Sequence, residues 1–168
     1  MFKCLDYVMH PGMGVCKIEE IKKQSIFKNQ EREFYVLRPV YENEKTLIYV
    51  PIDSEKIKLR KLLTKNDIKN IISTLPGCET VWIENELQRK ETFMRTLKSC
   101  DHVAIMGIIK VLYEHRLAKQ ECGKKLYLSD EKLLKEAERL IHQELAFTME
   151  INPDEVANFI ADELNKIK

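Results

Sequence analysis

The residues best suited to chemistry are scattered along this chain and form no recognisable catalytic or metal-binding motif. Its five cysteines and four histidines show none of the short spacings that zinc ligands require. Its five glycines fit no phosphate-binding loop, and no serine lies in a nucleophile elbow. Adjacent carboxylates such as Glu19-Glu20 and Asp154-Glu155 are better explained as solvated or helix-capping charges. The sequence therefore predicts a protein that is not an enzyme and uses no metal or cofactor.

The most suggestive side chains surround Trp82, the only tryptophan. If residues 79–98 form one helix, Trp82, Glu86 and Arg89 share a stripe and Lys90 lies on the next one. An apolar side chain pushed against opened base steps, with Arg or Lys on phosphates, is one way to hold distorted DNA. Glu86 would repel phosphate, however, and a lone tryptophan more often packs in a core. Spacing alone leaves both interpretations open.

The elements that must position these residues change character near residue 61. Up to that point the apolar residues alternate in short bursts between turn signals, which is typical of strands. We expect five antiparallel strands in a small, strongly curled barrel, near Asp6–His10, Gly14–Lys23, Glu31–Pro39, Lys45–Pro51 and Lys56–Arg60. Turns are predicted between them, one at Lys28-Asn29-Gln30.

Beyond residue 61 the apolar residues recur three and four apart, which predicts about five helices. Thr64 begins the first, which extends to about Leu75, and the second extends from about Glu79 to Lys98. Asp101 caps the third, to about Gln120, and Ser129 caps the fourth, to Met149; Asn152-Pro153 starts the fifth. The predicted fold class is α+β, with a β domain over residues 1–61 and a helical domain over residues 62–168.

Charge is distributed unevenly although the net charge is only +1. Residues 1–125 sum to +6 and residues 126–168 to −5, which weakly favours an anionic partner for the front and middle of the chain. No apolar run approaches the roughly 18 residues of a membrane span, and the N-terminus lacks a signal-peptide pattern. We expect a cytoplasmic protein without a membrane partner, with reduced and mostly buried cysteines.

Two stretches resemble the CarD family of bacterial transcription regulators. The first is Asp6-Tyr7-Val8-Met9-His10-Pro11-Gly12-Met13-Gly14-Val15 with Ile18-Glu19-Glu20-Ile21, followed by Tyr35-Val36-Leu37 and Val50-Pro51. The second is Leu128-Ser129-Asp130-Glu131-Lys132-Leu133-Leu134-Lys135-Glu136-Ala137, similar to the closing helical signature of the family. Ile108-Ile109-Lys110-Val111-Leu112 resembles its central buried helix. The first stretch also resembles the RNA-polymerase-interacting domain of transcription-repair coupling factor.

The resemblance implies a Tudor-like β domain that binds the RNA polymerase β subunit, joined to a helical domain on promoter DNA. In the family a tryptophan supports the opened minor groove at the upstream edge of the bubble and stabilises the open complex. Trp82 matches that tryptophan, and Arg89 and Lys90 match the basic pair that follows it. The DNA-binding residues expected on this basis are Trp82, Arg89, Lys90, Arg95 and Lys98, with contacts largely independent of base sequence.

The polymerase-binding residues expected from the resemblance are Gln24, Leu47, Ile48, Tyr49 and Pro51. Members of the family often carry an arginine before the Val-Pro pair, where this chain has Tyr49. Gln24 stands where another basic residue can occur, and Met13 replaces a histidine of the usual loop. The contact with polymerase is therefore expected to be more apolar here, with an edge strand as the docking element.

The resulting hypothesis is a monomeric, non-enzymatic regulator that associates with the nucleoid through RNA polymerase and stabilises open promoter complexes. One alternative is a protein–protein adaptor of the transcription machinery in which Trp82 is buried and DNA is not contacted. A second alternative is a redox or metal protein that uses the cysteines.

Overall fold

The computed structural model describes residues 1–27, 30–77 and 81–166 and divides into two compact units, Met1–Leu62 and Leu63–Lys168. The first unit is built from strands and the second from helices, so the predicted α+β class is confirmed. Most of the predicted turn at Lys28-Asn29-Gln30 and the predicted helix start at Glu79 lie outside the described residues.

One antiparallel sheet forms the first unit, with strand order β4-β3-β2-β1-β5. The two end strands are short, and among the described residues they do not pair with each other to close the sheet. The predicted closed barrel is therefore not confirmed, because β4 and β5 offer too few residues for a closing ladder. The strands are β1 (Tyr7–His10), β2 (Gly14–Phe27), β3 (Gln30–Pro39), β4 (Ile48–Pro51) and β5 (Arg60–Lys61).

The turn between β1 and β2 is organised by a histidine. His10 Nδ1 accepts hydrogen bonds from the backbone N–H groups of Gly12 and Met13, both at 3.1 Å. Gly14 then adopts a φ of +76°, a left-handed conformation that costs glycine little. Burial lowers the pKa of His10 and so favours the neutral imidazole, and the two N–H donors require Nδ1 to be its unprotonated nitrogen.

The core of this unit is a cluster of buried residues from β1, β2, β3 and β4. Val8, Ile18 and Leu37 are fully buried there, and Tyr35 is nearly so. The hydroxyl oxygen of Tyr35 accepts a hydrogen bond from the backbone N–H of Phe2 at 3.2 Å. Phe2 packs edge-on against the Tyr35 ring, so the N-terminal segment covers part of the core.

Among the described residues of the second unit there are five α-helices, the number predicted. They are α1 (Lys65–Thr74), α2 (Glu86–Ser99), α3 (His102–Glu121), α4 (Leu128–Met149) and α5 (Val156–Asn165). A short 3₁₀ turn at Leu75–Gly77 follows α1, and another at Pro153–Glu155 precedes α5. Thr64 and Asp67 form a capping box at α1, and Asp101 caps α3, as the sequence predicts.

Two predicted helix starts are wrong. Helix α2 begins at Glu86 with Asn85 as its cap, so Trp82 precedes the helix and shares no helical stripe with Arg89. The helix begins after Asn85 because the side-chain oxygen of Asn85 accepts a hydrogen bond from the backbone N–H of Gln88 at 2.9 Å. Helix α4 begins at Leu128 after Tyr127, so Ser129 lies within its first turn rather than at the cap.

Glu144 fixes the start of the helical unit. Its side chain is fully buried on α4, where Oε1 accepts the backbone N–H of Leu63 at 3.0 Å and Oε2 lies 2.9 Å from His102 Nε2. The Thr148 hydroxyl donates to the carbonyl of Leu63 at 3.2 Å. These bonds satisfy the carboxylate, whose burial without partners would be costly, and hold the backbone at residue 63 against α3 and α4.

Candidate functional site

The centre of the helical unit's candidate site is a buried ion pair between α2 and α4. Arg89 Nε lies 3.0 Å from Asp130 Oδ1, and Arg89 Nη2 lies 2.7 Å from Asp130 Oδ2, which makes the pairing bidentate. The two side chains are only 1 % and 0 % exposed. A buried charge is strongly destabilising if it loses its partner, so this pair fixes the position of the two helices relative to each other.

The remaining Arg89 donors hold the segment that contains Trp82. Arg89 Nη1 donates to the carbonyls of Ile83 and Glu84 at 2.6 and 3.2 Å. The guanidinium carbon lies 4.1 Å from the centroid of the Trp82 ring, a cation–π contact. The Arg89 side chain therefore contacts three consecutive residues, 82–84, that belong to no helix.

A histidine from α3 supplies the other contact to Trp82. The rings of Trp82 and His115 stack with centroids 3.6 Å apart and planes inclined by 15°. Burial lowers the pKa of His115, and the nearby charges of Lys119 and Arg89 lower it further against the opposing effect of Glu84 and Asp130. The imidazole is therefore kept neutral near pH 7, and the partly buried Trp82 is held by two planar groups.

A second tie joins the N-terminal ends of α2 and α4. The Ser129 hydroxyl donates to Glu86 Oε1 at 2.7 Å. Glu86 is the first residue of α2, where a carboxylate is favoured by the positive end of the helix. The predicted placement of Glu86 on the stripe of Trp82 is thus wrong, because Glu86 is directed to α4 instead.

The other predicted DNA-binding residues lie on α2 and differ from Arg89 in exposure. Lys90, Arg95 and Lys98 are all exposed, whereas Arg89 is enclosed between the helices. The expected role of Arg89 as a phosphate contact beside Trp82 does not fit this position, because both of its guanidinium nitrogens that face α4 are engaged by Asp130. Arg89 is instead the residue that orients Trp82.

Three of the five predicted polymerase-binding residues, Ile48, Tyr49 and Pro51, lie on β4 at one edge of the sheet, and Leu47 directly precedes this strand. Ile48 pairs with Leu37 and Tyr49 with Val36 on β3, and the other side of β4 is the end of the strand order. The side chains of Tyr49 and Leu47 are 46 % and 42 % exposed. Val50, which follows Tyr49 and precedes Pro51, is buried. The edge therefore carries exposed apolar side chains on a firmly packed strand.

Gln24 lies apart from this edge. It is an exposed residue near the distal end of β2, paired with Arg32 of β3. Since β3 separates β2 from β4, Gln24 joins the residues of β4 only if a partner extends across β3.

Asp130 and His115 were missed as site residues by sequence reasoning. Asp130 lies 41 positions from Arg89 and stands in the first turn of α4, where an acidic residue is common for local reasons. His115 follows a buried run on α3 with no local pattern that points to Trp82. Only pairwise covariation could have linked residues so far apart in the chain.

An apolar cavity elsewhere in the helical unit is lined by none of the residues around Trp82, namely Arg89, His115 and Asp130. It measures about 530 Å³ and lies among α3, α4 and α5, with Met106, Ile109, Ile141 and Ile160 in its walls. Within residues 1–27, 30–77 and 81–166, no three His, Cys, Asp or Glu side chains come together as a metal site would require. No helix in those ranges combines the length and apolarity needed to cross a membrane.

Comparison with known families addresses the first unit. Residues 2–63 match the family model described as CarD-like/TRCF RID domain. The N-terminal unit is a CarD-like domain. This CarD-like domain includes the whole sheet with the β4 edge, and a domain of this kind suggests an interaction with RNA polymerase. The match ends at residue 63, before Trp82, and no curated protein matches the chain.

Proposed function

We propose that this chain is a non-enzymatic transcription regulator that docks on RNA polymerase and contacts promoter DNA at the upstream edge of the bubble. The observation that carries the proposal is the state of Trp82, which is partly exposed in an extended segment and held by Arg89 and His115. A partly exposed ring that is already held in one orientation can contact an opened base step without first being ordered.

The proposed docking element is the outer edge of β4. An unpaired strand edge offers backbone N–H and C=O groups that can extend into a partner's sheet. Tyr49 and Leu47 add exposed apolar surface beside it, and a tyrosine is typical of residues that contribute most to protein interfaces. We propose the β subunit as the partner and a Tudor-like relationship for the domain, in line with the resemblance.

The proposed DNA contact combines Trp82 with three basic residues. The indole would support the opened base step in the minor groove, where apolar side chains replace stacking that the bases have lost. Lys90, Arg95 and Lys98, all exposed on α2, would contact phosphates without reading base sequence. Arg89 would act through Trp82, which it keeps in place before any DNA arrives.

The mechanism needs no reaction and no cofactor. A ligand that binds the open state more tightly than the closed state shifts the equilibrium between them by that difference in affinity. With a net charge of only +1, the free protein should bind DNA weakly, and docking on polymerase compensates by raising the local concentration. We also propose that the protein acts in the cytoplasm, as a monomer bound to RNA polymerase.

The deciding experiment is a promoter-opening assay with purified polymerase and the full chain. The half-life of the open complex after a heparin challenge should rise with the concentration of the chain and saturate. An unchanged half-life, at concentrations where the chain is shown to be bound to polymerase, would contradict the proposal.

The stacked arrangement of Trp82 also favours one alternative, a protein–protein adaptor in which the ring serves only packing. Because Trp82 is the only tryptophan, its fluorescence reports on this site alone. An emission spectrum and acrylamide quenching of the free chain that do not change with saturating bubble DNA would support the adaptor, whereas protection from acrylamide on bubble DNA would support the wedge.

A further inference from the structure

The apolar cavity of the helical unit has the size and the lining of a small-molecule site. Its volume of about 530 Å³ lies within the range of about 300–1,000 Å³ that is typical of ligand pockets. Most of its walls come from α3, α4, α5 and the turn after α1, and the principal apolar residues are Leu75, Met106, Ile109, Ile141, Ile160 and Leu164. All of them belong to the second unit, so the helical bundle alone builds the cavity.

The cavity lies where α5 packs on α1 and α4 and leaves a gap beside α3. Contacts of α5 with those two helices hold it in place, while its Ile160 and Leu164 line the same space as Ile109 of α3. These three side chains are only half-buried. Apolar surface that the helices enclose in part gains free energy when a ligand removes the rest of it from water. An apolar body between α3 and α5 would therefore be stabilised.

The polar side chains in the lining carry charges that balance. Lys110 and Glu114 lie one turn apart on α3, are exposed, and have opposite charges. Burial lowers the pKa of His142 on α4 against the opposing charges of Glu138 and Asp154. The imidazole of His142 is therefore neutral near pH 7 and offers one hydrogen-bond donor and one acceptor. A lining with this balance favours a ligand without net charge.

Tyr113 adds an aromatic ring at the open side of the cavity. Its side chain is 45 % exposed, and the guanidinium carbon of Arg116 lies 4.7 Å from the centroid of its ring. The lining residues on α3 extend from Met106 to Glu114, about 12 Å along the helix axis. An octyl chain or a fused aromatic system has a length that suits this distance.

From this combination we propose that the cavity binds an uncharged, mainly apolar small molecule, whose alkyl or aromatic body lies between α3 and α5 and whose hydroxyl or carbonyl group meets His142. A charged head group is disfavoured because Lys110 and Glu114 offset each other, and a charge that loses water without a matched partner is costly. The inference goes beyond the proposed function and does not depend on it, since it needs neither polymerase nor DNA.

Displacement of the uncharged dye Nile red from the full chain tests the proposal. We expect the dye fluorescence to rise on binding, to saturate at one site per chain, and to fall when octanol is added. Octanoate and octylammonium carry the same chain on charged head groups, and each should need an about tenfold higher concentration for the same displacement. If either charged compound displaces the dye at an equal or lower concentration than octanol, the assignment to an uncharged ligand is wrong.

Filling the cavity shows whether the dye occupies it. Ile109→Phe and Ile160→Phe each enlarge a side chain of the wall, and each should weaken dye binding about tenfold. Leu117→Phe is the matched control, because Leu117 lies on α3, is 44 % exposed and does not line the cavity; it should bind the dye as the wild type does. Circular dichroism shows whether the variants are folded. Dye affinity in the folded filled variants equal to that of the control would place the dye elsewhere and refute the site.

The wild-type chain gives a second answer that does not depend on the folding of any variant. Octanol bound in the cavity should show nuclear Overhauser effects to the methyl groups of Ile109 and Ile160. Saturable binding of octanol without these effects would refute the site.

An apolar side chain of a partner protein is the other occupant that such a cavity can take. If the wild type shows no saturable dye binding and folded Ile109→Phe loses polymerase pull-down, the cavity receives a side chain of polymerase, and the small-molecule site is wrong. No saturable dye binding with unchanged pull-down refutes the site as well. The proposed function stands in that second case, because Trp82 and the β4 edge lie outside the cavity.

Discussion

The guanidinium of Arg89 grips both carboxylate oxygens of Asp130 while its carbon lies 4.1 Å from the centroid of the Trp82 ring. One residue thereby joins two helices and orients the side chain proposed to meet DNA. The stability of the helical unit and the geometry of the proposed contact are thus coupled, and the predictions below separate them.

Removing the acid of this pair should unfold the helical unit readily. Asp130→Ala leaves the Arg89 charge buried and unpaired, and we expect a loss of about 3–5 kcal/mol in the free energy of unfolding. Urea denaturation followed by circular dichroism measures it. Glu136→Ala, which breaks the partly exposed pair with Arg139, is the control and should cost under about 1 kcal/mol. Equal losses in the two variants would show that burial of the Arg89–Asp130 pair has no energetic consequence.

Truncation of the wedge should change promoter kinetics without changing docking. Trp82→Ala removes the ring but not the β4 edge, so we expect polymerase pull-down as in the wild type and a shorter open-complex half-life. Leu87→Ala, a residue 68 % exposed on α2, is the matched control. A half-life equal to that of the control would exclude the wedge.

Placing a charge on the β4 edge should prevent docking. Tyr49→Asp introduces a carboxylate into the proposed apolar contact, where it would be desolvated without a partner, and we expect loss of polymerase pull-down. Tyr7→Asp is the control, since Tyr7 has similar exposure, 41 % against 46 %, on β1, two strands away from β3. Circular dichroism must show both variants folded. Retention of pull-down by folded Tyr49→Asp would place the docking surface elsewhere.

The stack of Trp82 on His115 should depend on pH. Because burial and neighbouring cations lower the pKa of His115 below its ordinary 6.5, the ring in the folded protein takes up its proton only below that pH. We expect a transition in Trp82 fluorescence with a midpoint below pH 6.5, as the charged imidazole meets Arg89 and Lys119. His115→Gln should abolish this transition, and a midpoint above 6.5 would contradict the assignment.

The same shift has a consequence for stability, with a defined sign. A histidine whose folded pKa is lowered binds its proton more readily in the unfolded chain. Its contribution is therefore complete above pH 6.5 and is lost as the pH falls from there through the lower pKa of the folded state. His10 and His142 shift in the same direction, so the wild type must be compared with His115→Gln: the variant should lose less stability between pH 7.5 and 5.5.

Local signals in the sequence identified most of the elements because those signals are themselves short-range. The capping box of Thr64 and Asp67 and the Asp101 cap act over three or four residues, and both are present. The Asn152-Pro153 signal starts a 3₁₀ turn, and α5 follows it at Val156. The start of α2 was predicted wrongly because these local signals can compete with one another. Asn85 and earlier residues offer competing caps, and a period of 3.6 residues does not say which cap ends the extended segment before it.

What the sequence by itself determined is the change from strands to helices, the CarD-like first unit and the presence of a single tryptophan. The tertiary structure decided what surrounds that tryptophan. Arg89, His115 and Asp130 come from three different helices, and their meeting depends on how α2, α3 and α4 pack. A carboxylate 41 positions away can neutralise a buried arginine only after the chain has folded, so no pattern within one helix distinguishes a phosphate-binding arginine from one that holds the core together.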